Sequence, residues 1–238
     1  MQKIYAFIPA RSGSERVKNK NMRILNGQPL ISHTLGQIRN SKYINKTYIS
    51  TDYKGIEKKL DLDKNTYVIK RPASISKSNS VDIDWVLHIL KKIKDDLPDF
   101  IVLLRPTSPF RTSNFIDSSI EKLLKNPKYD SARAVRMVKE HPDKMWIKKN
   151  SGIIPYNGFK KNEKEDLHSM QFKSLDKVFI QTSSLEILNT KSILRNKKLS
   201  GRNILPLFSD NLNSFTIDYE FDFDIAELIA KNKIKIDI

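Results

Sequence analysis

Short apolar runs alternate with amphipathic stretches along most of the chain. The first run, residues 4–8, is continuously apolar and predicts a buried strand. Further strands are predicted by similar runs, at residues 46–50, 66–69, 100–104, 131–138, 178–180, 184–188 and 214–217. Apolar positions at helical spacing predict helices between them, at residues 30–38, 53–60, 81–93, 115–124 and 221–229.

This order of strands and helices predicts the fold class. Strands that alternate with helices are typical of an α/β protein, with a mainly parallel sheet and helices on both faces. The regular pattern breaks at residues 139–182, which contain prolines, glycines and many charges. We therefore expect one domain over residues 1–238, with residues 139–182 inserted as a lid or an oligomerisation arm.

Composition excludes several classes of protein. Apolar residues make up 39% of the 238 residues, which is enough for a hydrophobic core and excludes wholesale disorder. There is no cysteine, so disulfides, thiolate metal sites and thiol nucleophiles are excluded. No apolar run approaches the ~20 residues of a membrane helix. The apolar stretch at the start is too short for a signal peptide, so we expect a cytoplasmic protein that does not bind a membrane.

The formal net charge is +16. Such a charge fits a polyanionic partner, either nucleic acid or anionic metabolites, but it also fits a general enrichment in lysine. Acidic residues are interspersed, and no recognition-helix pattern, aromatic-basic repeat or zinc spacing is present. We therefore expect an anionic small-molecule substrate and no nucleic acid.

The loop after the first strand carries most of the candidate chemistry. Its sequence is Pro-Ala-Arg-Ser-Gly-Ser-Glu-Arg-Val-Lys-Asn-Lys-Asn, at residues 9–21. Open α/β sheets bind ligands at the carboxyl ends of their strands, and backbone N–H groups with cations can wrap a triphosphate there. The loop matches neither the Walker A motif nor G-x-G-x-x-G. The alternative is a solvated basic loop.

Several motifs, in order along the chain, resemble the acylneuraminate cytidylyltransferase family. The loop resembles the family's A-R-x-G-S-x-x-x-x-x-K-N. Further matches are Ser-Thr-Asp at 50–52, Arg-Pro-Ala at 71–73, Leu-Leu-Arg-Pro-Thr-Ser-Pro-Phe-Arg at 103–111, His-Pro-Asp-Lys at 141–144 and Ile-Asp-Tyr-Glu-Phe-Asp at 217–222. They span nearly the whole chain. The resemblance implies a Rossmann-like fold of the nucleotide-diphospho-sugar transferase type, in which the insertion is a dimerisation arm.

The resemblance also implies a reaction. The family activates 2-keto sugar acids, such as sialic, legionaminic or related nonulosonic acids, with CTP, giving a CMP-sugar and pyrophosphate with Mg²⁺ as cofactor. Such phosphoryl chemistry needs positioning and cations more than a covalent nucleophile. The expected partners are CTP, an anionic sugar acid and a second copy of the chain.

Roles at the nucleotide follow from the matched positions. The resemblance implies that Arg11, Ser14 and Lys20 bind the triphosphate, and Arg11 and Lys20 are also expected to act in catalysis with Asp218. Arg16 and Lys18 are weaker candidates. Asp52 either helps to hold the base, ribose or metal, or caps the next helix. The remaining expected nucleotide contacts are Ala10, Ser12, Gly13, Asn21 and Arg71.

The metal ligand is expected to be Asp218, because Mg²⁺ prefers carboxylate oxygens. The family has a second aspartate two residues earlier, where this chain has Thr216. The metal is then held by one carboxylate together with phosphates and water, or Asp222 compensates; the alternative for Asp222 is a helix cap.

Sugar recognition is expected to differ from that of the family. Thr107 and Ser108 lie in the turn that borders the sugar in similar enzymes, or they form only a rigid connection. The family's glutamine is replaced by Arg105, and Arg111 is either an anion ligand or a surface charge. The insertion lacks the arginines that similar enzymes use on the sugar carboxylate. Arg105 and Lys144 are the expected substitutes, with Lys144 near the partner's active site.

Three alternatives remain open on the sequence alone. One is a related nucleotidyltransferase with another base or another sugar, such as 3-deoxy-octulosonate. A second, suggested by Thr216, is a catalytically weakened paralogue that binds nucleotide or a partner, and a third is a nucleic-acid-binding protein. The four histidines are too scattered for a metal site, and His33 and His88 are expected in helices as core residues. Trp85 and Trp146 either stack on a base or pack in the core.

Overall fold

A computed structural model describes residues 2–162 and 165–232. Its strands are β1 Ile4–Ala10, β2 Ile24–Leu25, β3 Gln28–Pro29, β4 Lys46–Thr51, β5 Thr66–Lys70, β6 Phe100–Leu103, β7 Ser131–Met137, β8 Trp146–Lys149, β9 Gly152–Pro155, β10 Phe179–Asn189 and β11 Ile204–Phe208. The helices are α1 Leu30–Arg39, α2 Asp82–Lys92, α3 Ser113–Leu124, α4 Thr190–Asn196 and α5 Glu220–Ala230. None of the described helices is long and apolar enough to cross a bilayer.

The main sheet has seven strands in the order β11-β7-β10-β6-β1-β4-β5. β6, β1, β4 and β5 are parallel neighbours, whereas β10 is antiparallel to β6. Because parallel strands end at the same edge, the loops after β1, β4, β5 and β6 meet there. The prediction of a mainly parallel α/β sheet is confirmed.

Alternation along the strands divides the core into two layers. In β1, Ile4, Ala6 and Ile8 face the layer that contains α1 and α3, and Tyr5 and Phe7 face the layer that contains α2 and α4. Helices therefore cover both faces of the sheet, as predicted. A smaller apolar cluster packs the loop after β1 against α5.

Three predicted elements differ in the structure. Residues 214–217 are not a strand: residues 211–214 form a turn in which Asp210 accepts from the Asn213 backbone N–H, and the Ile217 N–H donates to the carbonyl oxygen of Thr107. Residues 53–60 contain only a short 3-10 turn, Ile56–Lys58, which follows Gly55 in the left-handed conformation. Residues 179–180 and 184–188 belong to one strand, β10, which begins one residue later than predicted.

The chain divides into two compact units. One comprises Met1–Ala134 with Thr182–Ile238, and the other is Val135–Gln181. Within the second unit, β8 and β9 form an antiparallel hairpin, and the Nε2–H of His141 donates to the carbonyl oxygen of Asp176. Many of its large apolar side chains are exposed, among them Trp146, Ile153 and Phe159.

Candidate functional site

A cavity of about 360 Å³ opens at the carboxyl ends of β1 and β6, within the larger unit. Six cationic side chains line it, namely Arg11, Arg16, Lys20, Arg71, Lys77 and Arg105. Only three carboxylates do so, those of Glu15, Asp82 and Asp218. The cavity is therefore suited to a ligand that carries several negative charges.

Hydrogen bonds at its base hold the loop after β1. Asp52, at the end of β4, accepts from the Ser12 backbone N–H at 2.6 Å and from the Ser12 hydroxyl at 2.8 Å. The Thr51 hydroxyl donates to the carbonyl oxygen of Ala10 at 2.6 Å, and the Asn21 amide donates to that of Arg11 at 3.0 Å. The buried side chain of Val17 anchors the far side of the loop.

These contacts revise several expected roles. The side chains of Ser12 and Asp52 bind the protein itself and do not line the main cavity, whereas Arg11, Ser14 and Asn21 do, although the Asn21 amide is also bonded to the backbone of Arg11. Asp52 does not cap a helix either; it fastens the loop. It lines a neighbouring cavity of about 300 Å³ that shares Arg71 and Lys77 with the first.

Lys20 and Asp218 lie together on the far side of the cavity. The Lys20 ammonium donates to the carbonyl oxygen of Ile217 at 2.8 Å. Burial lowers the pKa of Lys20, and the nearby Asp218 carboxylate opposes that shift. One oxygen of Asp222 accepts from the backbone N–H groups of Asp218 and Tyr219 at 2.8 Å, so Asp222 caps α5, which was the alternative expected for it.

The wall opposite the loop is built by the segment from Arg71 to α2. Arg71 is buried, donates to the hydroxyl and carbonyl oxygens of Ser50, and lies 5.2 Å from the Trp85 ring centroid. Burial lowers its pKa to about 10. Trp85 is a buried core residue that also lines the cavity.

Sequence reasoning missed this wall in large part. Lys77, Ser78, Ser80 and Asp82 line the cavity, yet none was singled out from the sequence. Their position between the end of β5 and the start of α2 was the available signal, because that connection must lie at the ligand-binding edge.

Of the residues assigned to sugar recognition, Arg105 and Thr107 line the cavity, but Ser108 and Arg111 do not. Arg111 is fully buried and donates to the carbonyl oxygen of Ser184 and to the hydroxyl of Thr34. Burial lowers its pKa to about 9. The expectation that Arg111 is an anion ligand or a surface charge is wrong, because its guanidinium ties β10 and α1 to the turn after β6.

Lys144 lies in the second unit, where its ammonium donates to the carbonyl oxygens of His168 and Met170. Its role toward a sugar stays a prediction.

The donor set agrees with a magnesium ion that is bound partly by substrate. No cluster of three or more acidic or histidine residues suited to a metal occurs among residues 2–162 and 165–232. In that same part of the chain, no hydrogen bond or ion pair occupies the carboxylate of Asp218, although it lines the cavity. One carboxylate with phosphate oxygens and water is a common Mg²⁺ environment.

Comparisons with known proteins agree with this geometry. A family model described as cytidylyltransferase matches residues 5–146. The chain is 30% identical to an N-acylneuraminate cytidylyltransferase of Escherichia coli, over 99% of this chain and 54% of that protein. It is 28% identical to a CMP-N,N'-diacetyllegionaminic acid synthase of Legionella pneumophila, over 96% of this chain and 97% of that protein.

Solved structures share the fold. A CMP-2-keto-3-deoxy-manno-octonic acid synthetase complexed with CTP superposes with a TM-score of 0.70 at 11% identity, covering 98% of this chain and all of the other. The chain spans about half the length of the E. coli relative. The expected resemblance to acylneuraminate cytidylyltransferases is confirmed, and the chain belongs to the cytidylyltransferase family.

Proposed function

We propose that this chain couples CTP to a 2-keto sugar acid of the nonulosonic type, giving a CMP-sugar and pyrophosphate. The observation that carries the proposal is the cavity, where a fastened loop presents Arg11 and Lys20 close to the carboxylate of Asp218. Relatives named for CMP-sugar synthesis over 96–99% of this chain support it.

In the proposed reaction, the anomeric hydroxyl of the acid attacks the α-phosphorus of CTP. A new phosphorus–oxygen bond forms as the bond to pyrophosphate breaks, and the hydroxyl proton leaves to solvent or to the pyrophosphate. Arg11, Ser14 and Lys20 bind the phosphates. The positive charges of Arg11 and Lys20 offset the negative charge that moves onto the leaving pyrophosphate. The loop's four anchoring hydrogen bonds hold these groups in place before the substrate arrives.

Asp218 would hold Mg²⁺ against the phosphates. A bound Mg²⁺ supplies Lewis-acid stabilisation of the phosphate oxygens. Thr216 adds little, because its hydroxyl is buried and does not line the cavity.

Base recognition is proposed for the smaller neighbouring cavity. Asp52, Arg71 and Ala73 line it, and it adjoins the phosphate loop through Asp52. Arg71 contributes to both cavities, so it can reach the nucleotide from its buried position.

The test is pyrophosphate release with each of the four ribonucleoside triphosphates, against a panel of 2-keto sugar acids and Mg²⁺. The proposal expects turnover with CTP and a nine-carbon acid. Faster turnover with 3-deoxy-octulosonate would transfer the assignment to that sugar class. If no combination of nucleotide and sugar acid releases pyrophosphate at any Mg²⁺ concentration, the result would favour a catalytically weakened, nucleotide-binding paralogue.

A further inference from the structure

Arg105 belongs to a chain of charges that crosses three elements of the fold. Its guanidinium donates to Asp82 at 2.5 Å and to Glu186 at 2.8 Å. Glu186 is buried and also accepts from Arg133 at 2.6 Å. Asp82 begins α2, Glu186 lies in β10, and Arg105 follows β6. The ion pairs therefore join these elements at the cavity wall.

The charge of Arg105 is compensated inside the protein. Burial lowers the pKa of Arg105, but Glu186 and Asp82 outweigh it and hold the pKa above its usual value. Burial raises the pKa of Asp82, yet Arg105 and the hydrogen bond from the Trp85 indole outweigh it. Glu186 is shared with Arg133, so two carboxylates balance two arginines, and the positive charge of Arg105 is compensated within the protein.

Other cations of the cavity are not compensated in this way. Arg11, Arg16 and Lys77 form no ion pair with a carboxylate in the part of the chain that the structure describes. An anionic group gains most beside those side chains, since the positive charge of Arg105 is already offset by two carboxylates.

This proposal rests on the proposed function. We propose that Arg105 is a positioning and specificity-determining residue: Asp82, Arg105 and Glu186 form a charge-compensated wall that takes a neutral, hydrogen-bonding part of the acceptor. The phosphates and the acceptor carboxylate bind at the uncompensated cations. Preferred acceptors are then sugar acids whose groups at this wall are hydroxyls or amides, and acceptors with a second charge there are rejected.

Two substitutions separate this role from direct anion binding. Arg105→Gln removes the ion-pair partner of Asp82 and leaves Glu186 only Arg133, so a net negative charge appears at the wall. The acceptor KM should rise about tenfold or more, with kcat changed far less, because the wall contacts acceptor and transition state alike. Arg105→Gln/Glu186→Gln replaces an ion pair by a neutral hydrogen-bonding pair and should recover most of that loss.

Asp82→Asn should change the acceptor KM in opposite directions under direct anion binding and under the compensated wall. If Arg105 binds an anion directly, removing its competitor lowers the acceptor KM; the compensated wall predicts a higher KM. Arg39→Gln is the matched control, since Arg39 pairs with Asp61 at 2.8 Å away from the cavity, and its acceptor KM should equal that of the wild type.

Trp85 supplies a readout that does not depend on turnover. In a Trp146→Phe background, Trp85 is the only tryptophan of the chain, and its indole donates to Asp82 at 2.8 Å. Its emission should shift in Arg105→Gln and return in the double variant. Melting temperatures identify any variant that fails to fold, and Asp82→Asn then decides the question alone.

The kinetics use CTP and the sugar acid that the wild-type enzyme turns over fastest. A double variant as poor as Arg105→Gln, or an Asp82→Asn variant with a lower acceptor KM, would overturn the inference. Wild-type inactivity with every acid would instead overturn the proposed function, whereas an unchanged Trp85 emission in Arg105→Gln would count against the wall alone.

Discussion

The carboxylate of Asp52 fastens the phosphate loop, and its removal has a calculable consequence. Asp52→Ala deletes two hydrogen bonds to Ser12, at 2.6 and 2.8 Å. Hydrogen bonds to a charged group contribute about 1.5–3 kcal/mol each. Asp52 is partly exposed, so the lower figure applies. The two hydrogen bonds together stabilise the ordered loop by about 3 kcal/mol at most.

Two other anchors remain in the variant, from Thr51 to Ala10 and from Asn21 to Arg11. In the variant, CTP binding must therefore supply only part of the free energy that orders the loop. Since 1.4 kcal/mol is a factor of ten, we expect CTP to bind about ten- to thirtyfold more weakly. Ser12→Ala loses only the hydrogen bond of the hydroxyl, so it should weaken CTP binding less, by about three- to tenfold.

The assay is titration calorimetry of CTP against the two single variants and the double variant. The double variant should be no worse than Asp52→Ala, because both substitutions break the same contact. Asp63→Ala is the control: its carboxylate likewise accepts from a backbone N–H and a hydroxyl, of Asn65 and Thr66, in a loop remote from the cavity. A CTP dissociation constant for Asp52→Ala within twofold of the wild-type value would refute the reasoning.

Other predictions address the phosphates, the metal and the insertion. Arg11→Ala should raise the KM for CTP and lower turnover, because a cation on the triphosphate is lost; CTP kinetics unchanged within about twofold would remove Arg11 from the site. Asp218→Asn should nearly abolish turnover, measured as a Mg²⁺ titration of pyrophosphate release. Activity that survives Asp218→Asn would place the metal elsewhere. Residues 139–182 should form a dimer arm, and a fully active monomer in sedimentation at micromolar concentration would contradict that.

The sequence predicts the parallel half of the sheet well. β1, β4 and β6 are short apolar runs whose pattern follows from burial on two faces, and β5 is the half-exposed strand at the edge of the sheet. α4 was missed because only two of its seven residues are apolar, and β11 was missed because Pro206 interrupts its apolar run. The β8–β9 hairpin was missed because its residues are mostly exposed, so burial left no alternating pattern in the sequence.

The candidate site was predicted where motif and strand end coincide. Arg11, Ser14, Lys20 and Asp218 line the cavity as expected. Arg111 could not be placed, because the sequence does not show that Ser184 brings a carbonyl oxygen to it from 73 residues away. Such long-range pairing of buried polar groups depends on the packed fold, and no local pattern encodes it.

The compensation of Arg105 has the same origin. Asp82 and Glu186 lie 23 and 81 residues from Arg105 in the chain. From the sequence alone, Arg105 is an added cation at the sugar, whereas the fold brings two carboxylates to it.

The most direct measurement follows the oxygen atom that is transferred. A 2-keto sugar acid is labelled at its anomeric hydroxyl with a heavy oxygen isotope. It is incubated with the protein, CTP and Mg²⁺ in unlabelled water, and the masses of the products are measured by mass spectrometry. The account predicts that the label is retained in a CMP-sugar and that the pyrophosphate is unlabelled. Label in the pyrophosphate, or release of unlabelled CMP without a sugar conjugate, would contradict it.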